Sequence, residues 1–60
     1  MNEFLVPGDL IRNPNAPEWG VGQVQSVVDR KITVNFQEHG KVVIDADEVA
    51  LTLELENNYR

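Results

Sequence analysis

A single tryptophan is the side chain in this sequence best suited to binding. Trp19 follows Pro17 and precedes Gly20 and Gly22 in the stretch NAPEWGVGQV, residues 15–24. A partly exposed tryptophan offers a large apolar face to a peptide or a nucleobase, and such residues often anchor interfaces. A tryptophan that covers one end of a small core would occupy the same kind of position. The sequence favours packing for Trp19, with one face of the ring left for a partner.

Catalytic chemistry has little support among the other side chains. His39 adjoins Glu38, a pair able to exchange protons, but Ser26 is the only serine and the chain has no cysteine. Ser26 lies within a strand-like run, and no phosphate-binding loop appears. A chain of 60 residues also leaves little concave volume for a substrate. We therefore expect that the protein is not an enzyme and that His39 is a solvated turn residue.

Metal and cofactor chemistry is not indicated either. A structural zinc site needs several Cys or His ligands, whereas the chain has one His and no Cys. The acidic set Asp45, Asp47 and Glu48 lacks the regular spacing and the glycine turn of a calcium loop. The sequence therefore predicts no cofactor and no metal, and a solvated acidic surface at these three residues.

The balance of charge bears on the class of partner. Ten acids oppose five bases, which gives a net charge of −5. Nucleic acid binding depends on neutralising phosphates with basic side chains, so this balance favours a protein partner that carries basic residues. The opposite hypothesis is a nucleic-acid-binding module, and it requires one small basic patch. The bases that precede position 42 would form that patch: Arg12, Arg30, Lys31 and Lys41.

The apolar residues fit a globular domain. They make up 42% of the chain, which is enough for a folded core, yet no apolar run approaches the roughly 18 residues of a membrane span. The N-terminal MNEFLVPGD lacks the basic start and the long apolar centre of a signal peptide. We therefore expect a cytoplasmic protein of bacterial type. Residues 1–60 would be one domain, with the core at about 7–53 and a tail at 54–60.

The elements that would position these side chains are short strands. KITVNF, residues 31–36, alternates apolar Ile32, Val34 and Phe36 with polar residues, which is typical of a strand with one buried face. Close spacing of such runs predicts an all-β fold, a small SH3-like or Tudor-like barrel of five strands. The other strand-like runs are DLIRN at 9–13, WGVGQVQSVVD at 19–29, KVVID at 41–45 and ALTLELE at 50–56.

Turn residues indicate where the chain changes direction. Glycine within a strand marks a bulge, a bend or a close backbone approach, so we expect Gly20 and Gly22 to bend the strand that contains them. Structural roles are predicted for Gly8, Gly20, Gly22, Gly40 and Phe36. The predicted turns are Pro7-Gly8-Asp9, a helix-free loop at 13–18, a hairpin at Asp29-Arg30, a turn at 37–40 with Gly40 left-handed, and one 3₁₀ turn at 46–49.

The order of these motifs resembles a family of short bacterial proteins known as a domain of unknown function. The resemblance spans about residues 4–53 and centres on the pattern Trp-Gly-x-Gly-x-Val at 19–24. The same outline is more distantly similar to the Tudor-like domain of repair helicases, and to the RNA-polymerase-interacting domain of CarD and the transcription-repair coupling factor. The shared motifs here are Gly8-Asp9 and residues 20–24, with Asn13-Pro14 where those modules have His-Pro.

The wider resemblance implies a non-catalytic protein-interaction module. It implies docking on RNA polymerase, or on another transcription or DNA-repair partner, by an exposed strand edge. Trp19 would then be an anchor at the rim, with Arg12 and Asn13 as polar contacts. Two alternatives stay open, namely the nucleic-acid-binding module described above and a structural homodimer. The homodimer would pair along Leu51, Leu53 and Leu55, which makes the expected state a monomer or a weak homodimer.

Overall fold

The computed structural model describes residues 5–54 as one antiparallel sheet. The sheet has five strands in the order β4-β3-β2-β1-β5, which confirms the predicted all-β fold. Within residues 5–54 the sheet stays open, because β4 and β5 form its two edges instead of pairing with each other as in a closed barrel. The strands are β1 Leu10–Arg12, β2 Gly22–Val28, β3 Lys31–Phe36, β4 Gly40–Asp45 and β5 Thr52–Leu53.

The segment that connects β4 to β5 packs against the core on the inner face of the sheet. This segment begins with a turn in which the Asp45 carbonyl accepts hydrogen bonds from the amides of Glu48 and Val49, at 3.0 and 3.3 Å. The predicted turn at 46–49 therefore lies here. Apolar side chains, and not a strand pairing, complete the fold on this side. They are Ala46, Val49 and Leu51, which pack against the buried cluster.

Inward-facing residues of the first four strands form the core. Ile32, Val34 and Phe36 are at most 2% exposed, as the alternation of KITVNF predicts. Such burial stabilises the fold by removing apolar surface from water, at about 25 cal/mol per Å². The other members of the cluster come from β1, β2 and β4, and they are Ile11, Val24 and Ile44.

The turns on either side of β3 contain residues with positive φ. Asp29 and Arg30 connect β2 to β3 with φ of 52° and 66°, which is the pattern of a type I′ hairpin turn. The predicted hairpin is confirmed, although neither residue is the glycine or asparagine that such turns favour. Gly40 has φ of 94°, as predicted. No atom lies within 4 Å of a Cβ built there, so the backbone conformation alone explains this glycine.

The loop before β2 differs from its prediction. Pro17–Trp19 forms a short 3₁₀ helix, because proline fits the first helical position, where its missing amide hydrogen is not needed. The predicted strand at 19–29 consequently begins only at Gly22. Within the described residues, no helix is long and apolar enough to cross a membrane.

The irregularity in β2 also differs from its prediction. Gly20 lies outside the strand, and Gly22 pairs in regular register with Phe36. The register shift lies between Val24 and Ser26, where the strand contains one extra residue, as in a β-bulge. The bulge of β2 therefore lies at neither glycine, and Gly22 allows close packing, because a Cβ built there meets the side chains of Val34 and Phe36.

Candidate functional site

Trp19 lies at one end of the core, where it contacts two other rings. Its ring centroid is 5.1 Å from that of Phe36, edge to face, and 4.1 Å from that of His39, with nearly parallel planes. Phe36 is buried, Trp19 is half-buried and His39 is exposed. Trp19 therefore covers the core and presents its other side to His39. We call Trp19 and His39 the aromatic rim.

Backbone hydrogen bonds hold the aromatic rim in place. The Trp19 amide donates to the Ala16 carbonyl at 3.0 Å, within the 3₁₀ turn, and the Trp19 carbonyl accepts from the Glu38 amide at 2.9 Å. The second bond ties the loop before β2 to the turn before β4, which brings His39 over the indole. The sequence predicted His39 only as a solvated turn residue. No local pattern indicates the stacking, because it depends on how two turns meet.

One member of the aromatic rim, His39, lies beside the start of an edge strand of the sheet. His39 directly precedes Gly40, the first residue of β4. β4 pairs with β3 along one side, and in the part of the chain that the structure describes no strand lies along its other side. We call this side of Gly40–Asp45 the β4 edge. It presents outward backbone groups, and His39 lies one residue before it along the chain.

Alternation of hydrogen bonding decides which backbone groups the β4 edge presents. The Ala46 amide donates to the Arg30 carbonyl at 2.8 Å, which extends the β3–β4 register by one pair. Bonded and non-bonded pairs alternate in an antiparallel sheet, so the even-numbered residues of β4 bond to β3. The amides and carbonyls of Lys41, Val43 and Asp45 point outward instead. The Asp45 carbonyl serves the following turn, which leaves its amide for a partner.

The side chains of the β4 edge suit a contact surface. Val43 is 64% exposed, the highest value among the large hydrophobic residues that the structure describes. Lys41 is also exposed, and it shares the outer face with Val43 because side chains two apart in a strand point to the same side. The β4 edge therefore offers a partner an apolar side chain and a basic side chain in addition to its backbone groups.

Asn13, a predicted polar contact, is turned into the protein. It is 5% exposed, its Oδ1 accepts a hydrogen bond from the Asn15 amide at 2.9 Å, and its carbonyl accepts from the Ala16 amide at 3.0 Å. These bonds shape the loop that carries Trp19 and remove Asn13 from the surface that a partner could reach. The stretch NPNAPE could have indicated this turn, because asparagine side chains commonly accept a hydrogen bond from the backbone two residues further on.

Of the four predicted basic contacts, Arg30 and Lys31 are neighbours and the other two lie apart from them, and three of the four form ion pairs. Arg12 lies on β1, whereas Lys31 begins β3. Lys41 lies at the opposite end of the β3–β4 pair from Lys31. A surface for phosphates needs adjacent bases, and the structure does not bring these four together. The ion pairs are Arg12 with Glu54 at 3.0 Å, Arg30 with Asp47 at 2.7 Å, and Lys31 with Asp45 at 3.0 Å.

The leucine edge predicted for a homodimer is short. β5 is Thr52–Leu53, so Leu51 precedes the strand. Leu51 packs against the core cluster, whereas Leu53 is 53% exposed. Leu55 lies outside the described residues, as does the rest of the predicted tail beyond Glu54.

The outer face of the sheet contains a shallow depression of about 230 Å³. Small-molecule sites usually have about 300–1,000 Å³, so this depression is smaller than a typical ligand pocket. Three of its side chains are carboxamides and two are apolar. The lining residues are Leu10, Val21, Gly22, Gln23, Asn35 and Gln37.

Asp45 organises the turn that follows β4. Its Oδ1 accepts from the Asp47 amide at 2.9 Å, and its Oδ2 accepts from Lys31 Nζ at 3.0 Å. The Asp47 amide and then the Lys31 ammonium group hold the pKa of Asp45 below its usual value of 3.8, because both favour the ionised carboxylate. The predicted solvated acidic surface is therefore partly an ion-paired turn.

A pH dependence of stability follows from this carboxylate. Because the pKa of Asp45 is lower in the folded than in the unfolded chain, its contribution is present above about pH 4 and lost as the pH falls through the folded value. We expect Asp45→Asn to lower the melting temperature at pH 7 and to lower it less at pH 2.5. Thermal melts at both pH values measure this difference, and an equal effect at both would contradict it.

The comparisons with known proteins assign a family but no activity. No curated protein and no solved structure is significantly similar to the chain. One family model matches residues 5–54 of the 60, and that family is described as "Protein of unknown function (DUF3553)". The match covers every strand of the sheet. The chain therefore belongs to this family, as the order of its motifs predicted.

Proposed function

We propose that this protein is a non-catalytic interaction module that binds a partner protein by pairing the β4 edge with a strand of that partner. The observation that carries the proposal is the outward-facing backbone of Lys41, Val43 and Asp45 on an edge strand of the sheet. Strand addition at a sheet edge obtains affinity from main-chain hydrogen bonds and specificity from alternate side chains.

The partner class rests on the distant resemblance described above. We infer that this family is related to the Tudor-like modules whose RNA-polymerase-interacting members dock by a strand edge. The partner would accordingly be RNA polymerase or a transcription or DNA-repair factor in the bacterial cytoplasm. A net charge of −5 supports a partner segment that carries basic residues.

The proposal gives distinct roles to the predicted binding residues. Val43 would contact the outer face of the added strand, and Trp19 with His39 would contact the end of it. Large aromatic residues at such positions commonly supply much of the binding energy. Arg12 would take no part, because β1 is separated from β4 by the two strands between them.

Val43→Pro is expected to abolish binding without unfolding the domain. The Val43 amide points away from β3, so proline removes no hydrogen bond of the sheet, yet it denies that bond to a partner strand and obstructs the edge. We expect at least a hundred-fold loss, roughly what two hydrogen bonds and a steric block would contribute. Biolayer interferometry against purified bacterial RNA polymerase and against a transcription-repair coupling factor measures it.

Leu53→Pro is the matched control on the other edge of the sheet. The Glu54 amide donates to the Leu10 carbonyl at 2.9 Å, so by alternation the Leu53 amide also points outward. This variant should bind as the wild type does, and Trp19→Ala should bind about ten-fold more weakly. Circular dichroism checks that each variant is folded. Equal binding by Val43→Pro would contradict the use of the β4 edge, and no binding to either protein would contradict the partner class.

A further inference from the structure

We propose that the β4 edge also pairs with the β4 edge of a second copy of this chain, in antiparallel orientation and centred on Val43. Two five-stranded sheets would then form one continuous sheet across a two-fold axis. The inference concerns the same edge as the proposed function, but it requires no other partner. It rests on the backbone register, the charges and the apolar side chain of this strand.

The backbone register is the first argument. Outward groups occur at every second residue, on Lys41, Val43 and Asp45. When two copies are centred on Val43, each Val43 faces Val43 of the second copy, and Lys41 faces Asp45 of the second copy. Every outward residue then faces another outward residue, as hydrogen bonding in an antiparallel ladder requires. A register in which Val43 faced Val42 of the second copy would instead place outward groups opposite inward ones.

The charges are the second argument. Residues that face each other across antiparallel strands project to the same side of the sheet, where opposite charges attract. Along the outer face of the β4 edge the side chains are Lys41, Val43 and Asp45. In an antiparallel pair of two such edges, the lysine of each copy therefore faces the aspartate of the other. Edge lysines usually discourage pairing, but in this register each Lys41 meets the Asp45 carboxylate of the second copy, which also accepts from Lys31 of its own chain. Within residues 5–54, no acid lies within salt-bridge distance of Lys41.

Apolar contacts agree with the same register. Val43, which is 64% exposed, would be covered by Val43 of the second copy. On the core side, half-buried Val42 would face buried Ile44 of the second copy. Among the described residues the β5 edge offers less, since β5 consists of Thr52–Leu53 and carries no such pair of opposite charges.

Cysteine cross-linking tests the register. The chain has no cysteine, so Val43→Cys introduces a unique thiol. In the proposed pair the two Cα atoms at position 43 lie about 5.5 Å apart, within the range of a disulfide. Leu53→Cys is the matched control, because Leu53 is similarly exposed at the other edge. Under mild oxidation we expect Val43→Cys to form dimers about ten-fold faster on a non-reducing gel. Equal or slower cross-linking than Leu53→Cys would overturn the proposal.

Charge reversal tests the same interface without a new covalent bond. Lys41→Glu converts two attractive pairs into repulsive ones, and we expect it to raise the dimer dissociation constant about ten-fold in sedimentation equilibrium. Arg12→Glu changes the net charge equally on β1, which two strands separate from β4, and should leave the constant within about two-fold.

The outcomes separate this inference from the proposed function. Wild-type protein that stays monomeric up to about 1 mM, or a dimer weakened equally by Lys41→Glu and Arg12→Glu, would overturn self-pairing. Neither result bears on RNA polymerase, which is measured separately on dilute protein. A Lys41-dependent dimer that binds no polymerase would support self-pairing and contradict the proposed partner.

Discussion

Gly22→Val is expected to unfold the domain. A Cβ built on Gly22 lies 2.5 Å from Val34 Cγ1 and 2.7 Å from Phe36 Cδ1, and both neighbours are buried in the core. Inserting a single methyl group into a packed core already costs about 1–3 kcal/mol. Valine adds two further methyl groups, so we expect its cost to exceed the roughly 3–5 kcal/mol of a large core truncation. A chain of this length has a free energy of unfolding of roughly 3–9 kcal/mol, at about 0.05–0.15 kcal/mol per residue. We therefore expect no cooperative thermal transition.

Gly22→Ala provides a graded form of the same test. It should remain folded but lose about 2 kcal/mol in urea denaturation. Combining it with Phe36→Leu should destabilise by less than the sum of the two changes, because a smaller side chain makes room for the new methyl group.

Gly8→Ala separates the effect of space from that of backbone conformation. Gly8 has φ of 99°, but nothing lies within 4 Å of a Cβ built there. Its substitution should cost about 1 kcal/mol through strain alone. Gly22→Ala with the stability of the wild type would contradict the packing argument.

Phe36→Ala is expected to have the second largest effect. Phe36 is the largest of the fully buried side chains, and its ring is in contact with Trp19. Removing the ring leaves a cavity beneath the indole, and such truncations cost about 3–5 kcal/mol. Much of the population should then be unfolded at 25 °C, as measured by urea denaturation and by the tryptophan emission maximum.

Val43→Ala is the control for Phe36→Ala. Val43 lies on the outer face and is 64% exposed, so its truncation should change the free energy of unfolding by no more than about 0.5 kcal/mol. A melting temperature for Phe36→Ala within a few degrees of the wild type would contradict the assignment of this ring as the centre of the core.

The parts of the fold with a local pattern could be predicted from the sequence. KITVNF identified β3 because alternation along one strand reflects one buried face. Gly40 marked its turn because the left-handed conformation required there is costly for most other residues. The family could also be recognised, since the order of its motifs lies in the chain itself.

The rest depends on contacts between distant segments. The stacking of His39 on Trp19 and the ion pair between Arg12 and Glu54 arise where separate elements meet, so no window of sequence contains them. The open sheet could not be foreseen for the same reason. Whether β4 and β5 pair is decided by how the connecting segment packs, and not by the propensity of either strand. Asn13 is different, because its turn was visible locally.

Side-chain packing closes the core, whereas the β4 edge offers backbone groups that this packing does not use. Ala46, Val49 and Leu51 close the core through side-chain contact, and within residues 5–54 no hydrogen bond uses the outward amides of Lys41, Val43 and Asp45. A strand that added there, as we propose, would replace no hydrogen bond among residues 5–54 and would require no prior opening of the sheet. Association at the β4 edge should consequently proceed as the docking of two rigid bodies, without a conformational change in this domain that would lower the association rate.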